Sequence, residues 1–175
     1  MAQFETERLL IRPIKATDHD ALQAMLLDPK VVAYLRYQTL KSAAEFDASF
    51  INHFMAEPDT VFGLETKRDH QFVGFFEFHG TVGTGELTYA LTPAAWGHGY
   101  VAEAGNRMMA YGFQTLGLNR IEAHYASVNP RSGRVMAKMG MHDEGELLTF
   151  TLESGEVAHV MAYGLSKREW LQASA

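Results

Sequence analysis

The chain of 175 residues contains no cysteine. That excludes a disulfide framework, a thiolate nucleophile and any cysteine-ligated zinc or iron–sulfur centre. Long apolar runs are missing too. Nothing approaches the roughly 18 to 20 residues needed to cross a bilayer, and Met1 to Arg12 lacks the basic-then-apolar order of a signal peptide. No membrane partner is expected, and the cytoplasm is the expected compartment. Positive charge is scarce: 15 Lys and Arg stand against 21 Asp and Glu, a formal net charge of −6. A nucleic-acid surface needs clustered basic residues, so no nucleic-acid partner is expected. Gly-Lys-Ser/Thr does not occur, which removes a Walker-type phosphate loop and the kinase and ATPase readings with it. Repeats, low-complexity tracts and linker-like stretches are also missing, so residues 1–175 are expected to form one domain.

What remains is the balance of a folded protein, 47% apolar and 21% charged. Phe4 to Pro13 reads as a strand. Thr17 or Asp18 then caps a helix through Ala21, Leu22, Met25 and Leu26, which ends at Asp28-Pro29. Ser42-Ala43-Ala44-Glu45 has capping-box spacing, and Phe46, Phe50, Ile51 and Phe54 follow at helical period. Thr60 to Lys67, Gln71 to His79 and Glu86 to Leu91 predict three antiparallel strands joined by turns at Arg68-Asp69-His70 and Gly80 to Gly85. A helix over Tyr100 to Leu116, a strand over Arg120 to Ala126 and a helix over Pro130 to Met139 come next. Glu146 to Glu153 and Val157 to Leu165 form a closing hairpin. The order predicts a mixed α/β (α+β) domain rather than strict βαβ alternation.

The stretch Trp96-Gly97-His98-Gly99-Tyr100-Val101-Ala102 leads from a strand into the first turn of a helix. The first amides of a helix lack internal partners and carry the positive end of its dipole, so a pyrophosphate can rest against them where side chains are small. A plain strand-to-helix turn explains the same glycines equally well. Gly97, Gly99 and Ala102 also satisfy the dinucleotide pattern G-x-G-x-x-G/A. Thr92 to Trp96 separate them from the strand, however, and an antiparallel meander precedes them, so the match is coincidental.

From Glu86 to Gly145 the chain resembles GNAT acetyltransferases, in particular the branch of ribosomal-protein alanine N-acetyltransferases of the RimJ/RimL type. The residues that carry the resemblance are the glycine loop, Ala102-Glu103-Ala104, Leu116-Gly117-Leu118-Asn119-Arg120-Ile121-Glu122-Ala123, and Asn129-Pro130-Arg131-Ser132 leading to Lys138-Met139-Gly140-Met141. Phe4 to Pro13 and Tyr163 to Trp170 resemble that branch's two ends. The resemblance implies a GNAT fold, with a central mixed, mostly antiparallel sheet, a splayed strand pair and flanking helices. It also implies acetyl-coenzyme A as co-substrate and no metal. The pyrophosphate would rest on the loop from Trp96 through Gly97, His98, Gly99, Tyr100, Val101 and Ala102. Pantetheine would pair with Tyr89, Ala90 and Leu91, and Asn129 would contact it. Three positions depart from the family pattern. Val101 stands where Gly or Ala is usual, and its side chain would narrow the approach. Met136 stands where the wider superfamily often has a tyrosine acid, and His159 where the branch often has an acidic residue.

Acetylating an amine requires loss of a proton from an alkylammonium of pKa about 10. It also requires a donor for the tetrahedral oxyanion and a fate for the departing thiolate. A backbone N–H near Ala90 or Leu91 is the candidate oxyanion donor. The resemblance makes Ser132, at the family's N-x-x-S position, the candidate acid, or a hydrogen bond to the departing sulfur, and it can equally serve as a helix-start residue. Glu77, His79 and Glu86 are the candidate bases, and a water chain with no dedicated base is the alternative. Glu77 shares a strand face with His79, and a carboxylate in an apolar strand invites a raised pKa. Glu103 reads as ordinary compensation of the helix dipole. The eight histidines show no ligand spacing in the sequence, so no metal is expected. Tyr34 and Tyr37, with His79, are candidates for the substrate mouth. The expected acceptor is a protein N-terminus or an amine-bearing small molecule such as a polyamine. A coenzyme-A-binding module without catalysis is the alternative. Phe-rich strands could also support a homodimer.

Overall fold

The computed structural model describes residues 1–33, 35, 40–80 and 82–175. In chain order these form β1 (Phe4–Glu5), β2 (Leu9–Pro13), α1 (His19–Leu26), α2 (Pro29–Val32), α3 (Ala43–Ser49), β3 (Val61–Thr66), β4 (Phe72–His79) and β5 (Thr84–Leu91). The chain continues through α4 (Tyr100–Gln114), β6 (Arg120–Ala126), α5 (Pro130–Lys138), β7 (His142–Thr151), β8 (Val157–Ser166) and α6 (Lys167–Ala173). A 3-10 turn, Ala16–Asp18, precedes α1, and a π turn, Phe50–Phe54, continues α3.

The strands lie in one eight-stranded sheet in the order β1-β2-β3-β4-β5-β6-β8-β7. Antiparallel ladders join β1 to β2, β2 to β3, β3 to β4, β6 to β8 and β8 to β7, while β5 and β6 are parallel. This is the mixed, mostly antiparallel sheet with flanking helices that the sequence predicts. Among the described residues the β5–β6 ladder runs from Thr84↔Arg120 to Leu87↔Ala123, while β6 keeps its ladder with β8 as far as Ala126↔Val160.

The chain gathers into two compact units, Met1–Phe78 with Thr88–Ala104, and His79–Leu87 with Gly105–Ala175. In the first, Leu22, Leu26, Phe46, Phe50, Phe54, Val61 and Phe75 share one core. Each phenylalanine buried there contributes about 1.5–3 kcal/mol. Phe46, Phe50 and Phe54 recur every fourth residue and supply the buried stripe of α3 and its π turn. Ile51, expected in the same stripe, is instead exposed. Ser42 Oγ accepts from Glu45 N at 3.2 Å as its capping spacing predicts, but the Glu45 carboxylate reaches Lys41 N rather than the cap residue. Asp18 precedes α1 without capping it through its side chain. Its buried carboxylate takes two hydrogen bonds from Arg12 instead, at 2.7 and 2.9 Å. In the second unit Met108, Met109, Phe113, Ile121, Ala123, Met136, Met139 and Leu165 are buried. Trp170 on α6, a helix the sequence reading did not delimit, packs its ring 5.3 Å from that of Phe113. Among the described residues no helix is long and apolar enough to cross a membrane.

Candidate active site

The predicted cradle takes shape at the entrance to α4. Pro93–Ala95 form a 3-10 turn, and Trp96 Nε1 donates to Leu91 O at 3.0 Å, folding the loop back on the strand that feeds it. Gly97 and Gly99 have φ of +81° and +76°, the left-handed region that side chains resist. A Cβ on Gly97 would meet nothing within 4 Å, so glycine stands there for backbone conformation, and the space beside it is open. Gly97, His98 and Gly99 are exposed, and the His98 ring stacks on Tyr100 with centroids 5.4 Å apart. Val101 does not narrow the approach as expected: its side chain is buried in the interior. The open, glycine-lined helix entrance thus fits a pyrophosphate.

Glu103 proves to be more than dipole compensation. Its carboxylate accepts from Thr6 Oγ1 at 2.6 Å, Arg8 N at 2.7 Å and Arg8 Nε at 2.7 Å, which ties the β1–β2 turn to the first turn of α4. Burial pushes the Glu103 carboxyl up, but hydrogen bonds from Thr6 and Arg8 and the guanidinium charge outweigh it and hold the group below the usual glutamate value. Arg8 lies over the Tyr100 ring, 4.8 Å from its centroid, and its Nη2 stands 3.7 Å from where a Cβ on Gly99 would be. Sequence reasoning had seen Arg8 only as a strand residue. A partner nearly a hundred positions away leaves no local pattern to find.

Behind the loop, β4 and β5 approach unusually closely at Gly74. A Cβ there would fall 2.2 Å from Ala90 O and 3.0 Å from Leu91 Cα. Side chains project out of a sheet, so an oxygen in that position means that the Ala90 carbonyl has turned out of the ladder plane. A trans peptide holds the next N–H opposite its carbonyl, so the Leu91 N–H turns toward the other face. Tyr89, half-buried, stacks on Phe76 at 5.7 Å. The turned peptide coincides with the Ala90–Leu91 segment singled out from the sequence.

Of the candidate bases, Glu77 is wholly buried on β4, opposite Val61 of β3. His53 Nε2 lies 2.8 Å from Glu77 Oε2. His53 comes from the π turn, closed by Met55 N donating to Phe50 O at 2.9 Å, and the adjacent Phe54 sets its ring edge-on to Phe75 at 5.6 Å. An ionised carboxylate can only accept, so with Glu77 ionised His53 Nε2 is the donor of this pair. His79 follows Glu77 by two residues, at the end of β4. The pairing of His53 with Glu77 is long-range and leaves no trace in sequence spacing.

Glu86, in the other unit, is half-buried beside His124, whose Nδ1 is 3.4 Å away. The hydrogen bond with Glu86 raises the His124 pKa against the opposing effect of burial, and the charges of Glu86 and Glu122 add to it. Asn129 precedes α5 without a side-chain bond to it, Ser132 is half-buried in the first turn, and Met136 is buried in the core. His159, on β8, sits 3.3 Å from Glu146 at the surface. Tyr34 and Tyr37 lie outside the described residues.

Comparison with known proteins agrees with this architecture. The family model described as "Acetyltransferase (GNAT) domain" matches residues 8–142. The uncharacterized N-acetyltransferase YoaA of Bacillus subtilis is 27% identical over 170 residues, 94% of this chain and 96% of that protein. The uncharacterized N-acetyltransferase p20 of Bacillus licheniformis is 30% identical, over 97% of this chain and 99% of that protein. A GNAT-family acetyltransferase from Bacillus anthracis superposes with a TM-score of 0.83 at 27% identity, covering 96% of this chain and 100% of that one. Spermidine N-acetyltransferase from Vibrio cholerae, solved with CoA and spermine, shares the fold with a TM-score of 0.80 at 20% identity, covering 93% and 98%. The family match over residues 8–142 and the full-length similarity to p20 make this chain a member of the GNAT family and an N-acetyltransferase.

Proposed function

We propose that the protein transfers the acetyl group of acetyl-coenzyme A to a primary amine by direct attack within a ternary complex, residues 1–175 acting as one domain. The observation that carries this reading is the open, positive-φ glycine entrance to α4, within the stretch that matches the acetyltransferase domain. The match over residues 8–142 includes parts of both compact units, which supports treating them as one catalytic domain.

When bound, acetyl-coenzyme A supplies the activated acetyl group. The chain's own residues do the rest. The amides of Gly97 to Ala102 hold the pyrophosphate, and Arg8, clamped by Glu103 at the same helix entrance, adds a cationic contact. The Leu91 N–H, set by the turned 90–91 peptide, faces the developing oxyanion. Glu77 takes the proton of the acceptor's ammonium: the N–H bond breaks, an O–H bond forms on the carboxylate, and the amine lone pair is released for attack. Glu86, half-buried beside His124, is the second candidate for that role. Asn129 and Ser132 keep the roles that the resemblance implies, contact with pantetheine and a hydrogen bond to the departing sulfur.

A protein N-terminus is the leading acceptor on resemblance, supported by similarity to a putative ribosomal N-acetyltransferase of Bacillus subtilis, 29% identical over 85 residues. A polyamine is the second reading, favoured by the fold shared with the spermine-bound Vibrio cholerae structure. The test is calorimetric titration with acetyl-coenzyme A, then thiol release across a panel of peptides and polyamines. The protein has no cysteine of its own, so a thiol reagent sees only product. Micromolar binding with turnover of one class supports the proposal. Binding with no turnover on any amine would sink it in favour of a non-catalytic coenzyme-A-binding module.

A further inference from the structure

We propose that His53 is a positioning residue for the acetyl-transfer reaction, orienting the Glu77 carboxylate through the bond from its Nε2 to Oε2. The inference rests on the reading of Glu77 as the base and adds the group that makes it one.

Three observations converge on it. Glu77 is fully buried, and the terminal torsion of a glutamate is soft, so a base of this kind needs an outside contact to fix the plane of its carboxylate. His53 supplies such a contact at 2.8 Å, from a side chain that is itself 30% exposed. The backbone beneath His53 is a π turn rather than a continuation of α3. A π turn inserts an extra residue into the helical period. It is rare because its packing is poorer, and it persists where the altered side-chain directions are used. Here the inserted residue lets Phe54 meet Phe75 while the adjacent His53 meets Glu77, two residues further along the same face of β4. The T-shaped contact of the His53 ring with Phe54, centroids 5.1 Å apart, limits the imidazole's rotation. The His53 end of the hydrogen bond is thus backed by the Phe54 ring, which itself packs edge-on to Phe75.

In this arrangement His53 does not touch the acceptor. It donates from Nε2, and the proton leaving the ammonium goes to Glu77. Steady-state kinetics of His53→Ala, His53→Gln and Glu77→Gln test the assignment on the full chain with the best acceptor found. Loss of an orienting hydrogen bond of this kind costs about 10- to 100-fold. His53→Ala is therefore expected to lower kcat by about that factor, with the KM for acetyl-coenzyme A within about twofold of the wild type. His53→Gln keeps an N–H where Nε2 stood but cannot carry a proton, and it is expected to recover kcat to within about threefold of the wild type. A His53→Ala enzyme of wild-type kcat overturns the proposal. So does a His53→Gln enzyme as slow as His53→Ala with unchanged thermal stability, since that pattern demands proton carriage instead. Wild-type turnover by Glu77→Gln refutes the base assignment itself, a result distinct from either.

Discussion

Gly97→Ala separates the two explanations of the glycine loop, a phosphate cradle and a plain turn. At φ of +81° an alanine costs about 1–2 kcal/mol. Loss of glycine's freedom in the unfolded chain returns about 0.4–1 kcal/mol. The net cost is about 1 kcal/mol, a fall in Tm of about 2–4 °C for a chain of this size. No steric penalty adds to it, because the new Cβ meets no atom within 4 Å. Gly117 provides a matched control: its φ is +70°, it too has nothing within 4 Å, and it follows the other end of α4. The two alanine variants are expected to melt within about a degree of one another. They are expected to part on acetyl-coenzyme A, whose Kd rises about tenfold or more for Gly97→Ala alone, equivalent to about 1.4 kcal/mol. The added methyl would occupy the space that the pyrophosphate needs. Scanning calorimetry and titration calorimetry read both quantities on the same samples. Equal affinities in the two variants would refute the cradle and leave the glycines with a purely conformational role.

Gly74→Ala is expected to cost about 2–3 kcal/mol, because its Cβ is driven against backbone at 2.2 Å rather than against a movable side chain; a Tm within a degree of wild type would contradict the turned 90–91 peptide. Glu103 has a depressed pKa, so its contribution is present above the unfolded glutamate value and is lost as pH falls through the folded one. Urea unfolding should accordingly show the wild type more stable than Glu103→Gln at pH 7, with the gap closing on the acid side of about pH 4.5. The His124 pKa is raised, so the sign reverses: its contribution is complete below the unfolded histidine value and vanishes as pH rises through the folded one. The stability difference between wild type and His124→Gln should therefore be larger at pH 5.5 than at pH 9, and a difference that grows with pH would disprove the Glu86–His124 pairing.

Much of this protein was written in local pattern. The period of Phe46, Phe50 and Phe54, the turn residues between the meander strands and the glycines before Tyr100 all act within a few residues, so they determined element order and fold class from sequence alone and marked the glycine loop as the candidate cradle. A splayed strand pair at Tyr89 to Leu91 was implied only through resemblance, because a ladder's end depends on a partner strand far along the chain. Tertiary structure decided the rest. Glu103 changed from dipole compensation to an anchor once Thr6 and Arg8 were folded beside it. Glu77 and Glu86 looked alike in sequence, and only burial and their different histidine partners told them apart. The π turn beneath His53 leaves no compositional trace, since it answers to the packing of Phe54 on Phe75. Hydrogen bonds between residues 24 or 95 positions apart are set by how elements pack. Local propensity carries no information about them.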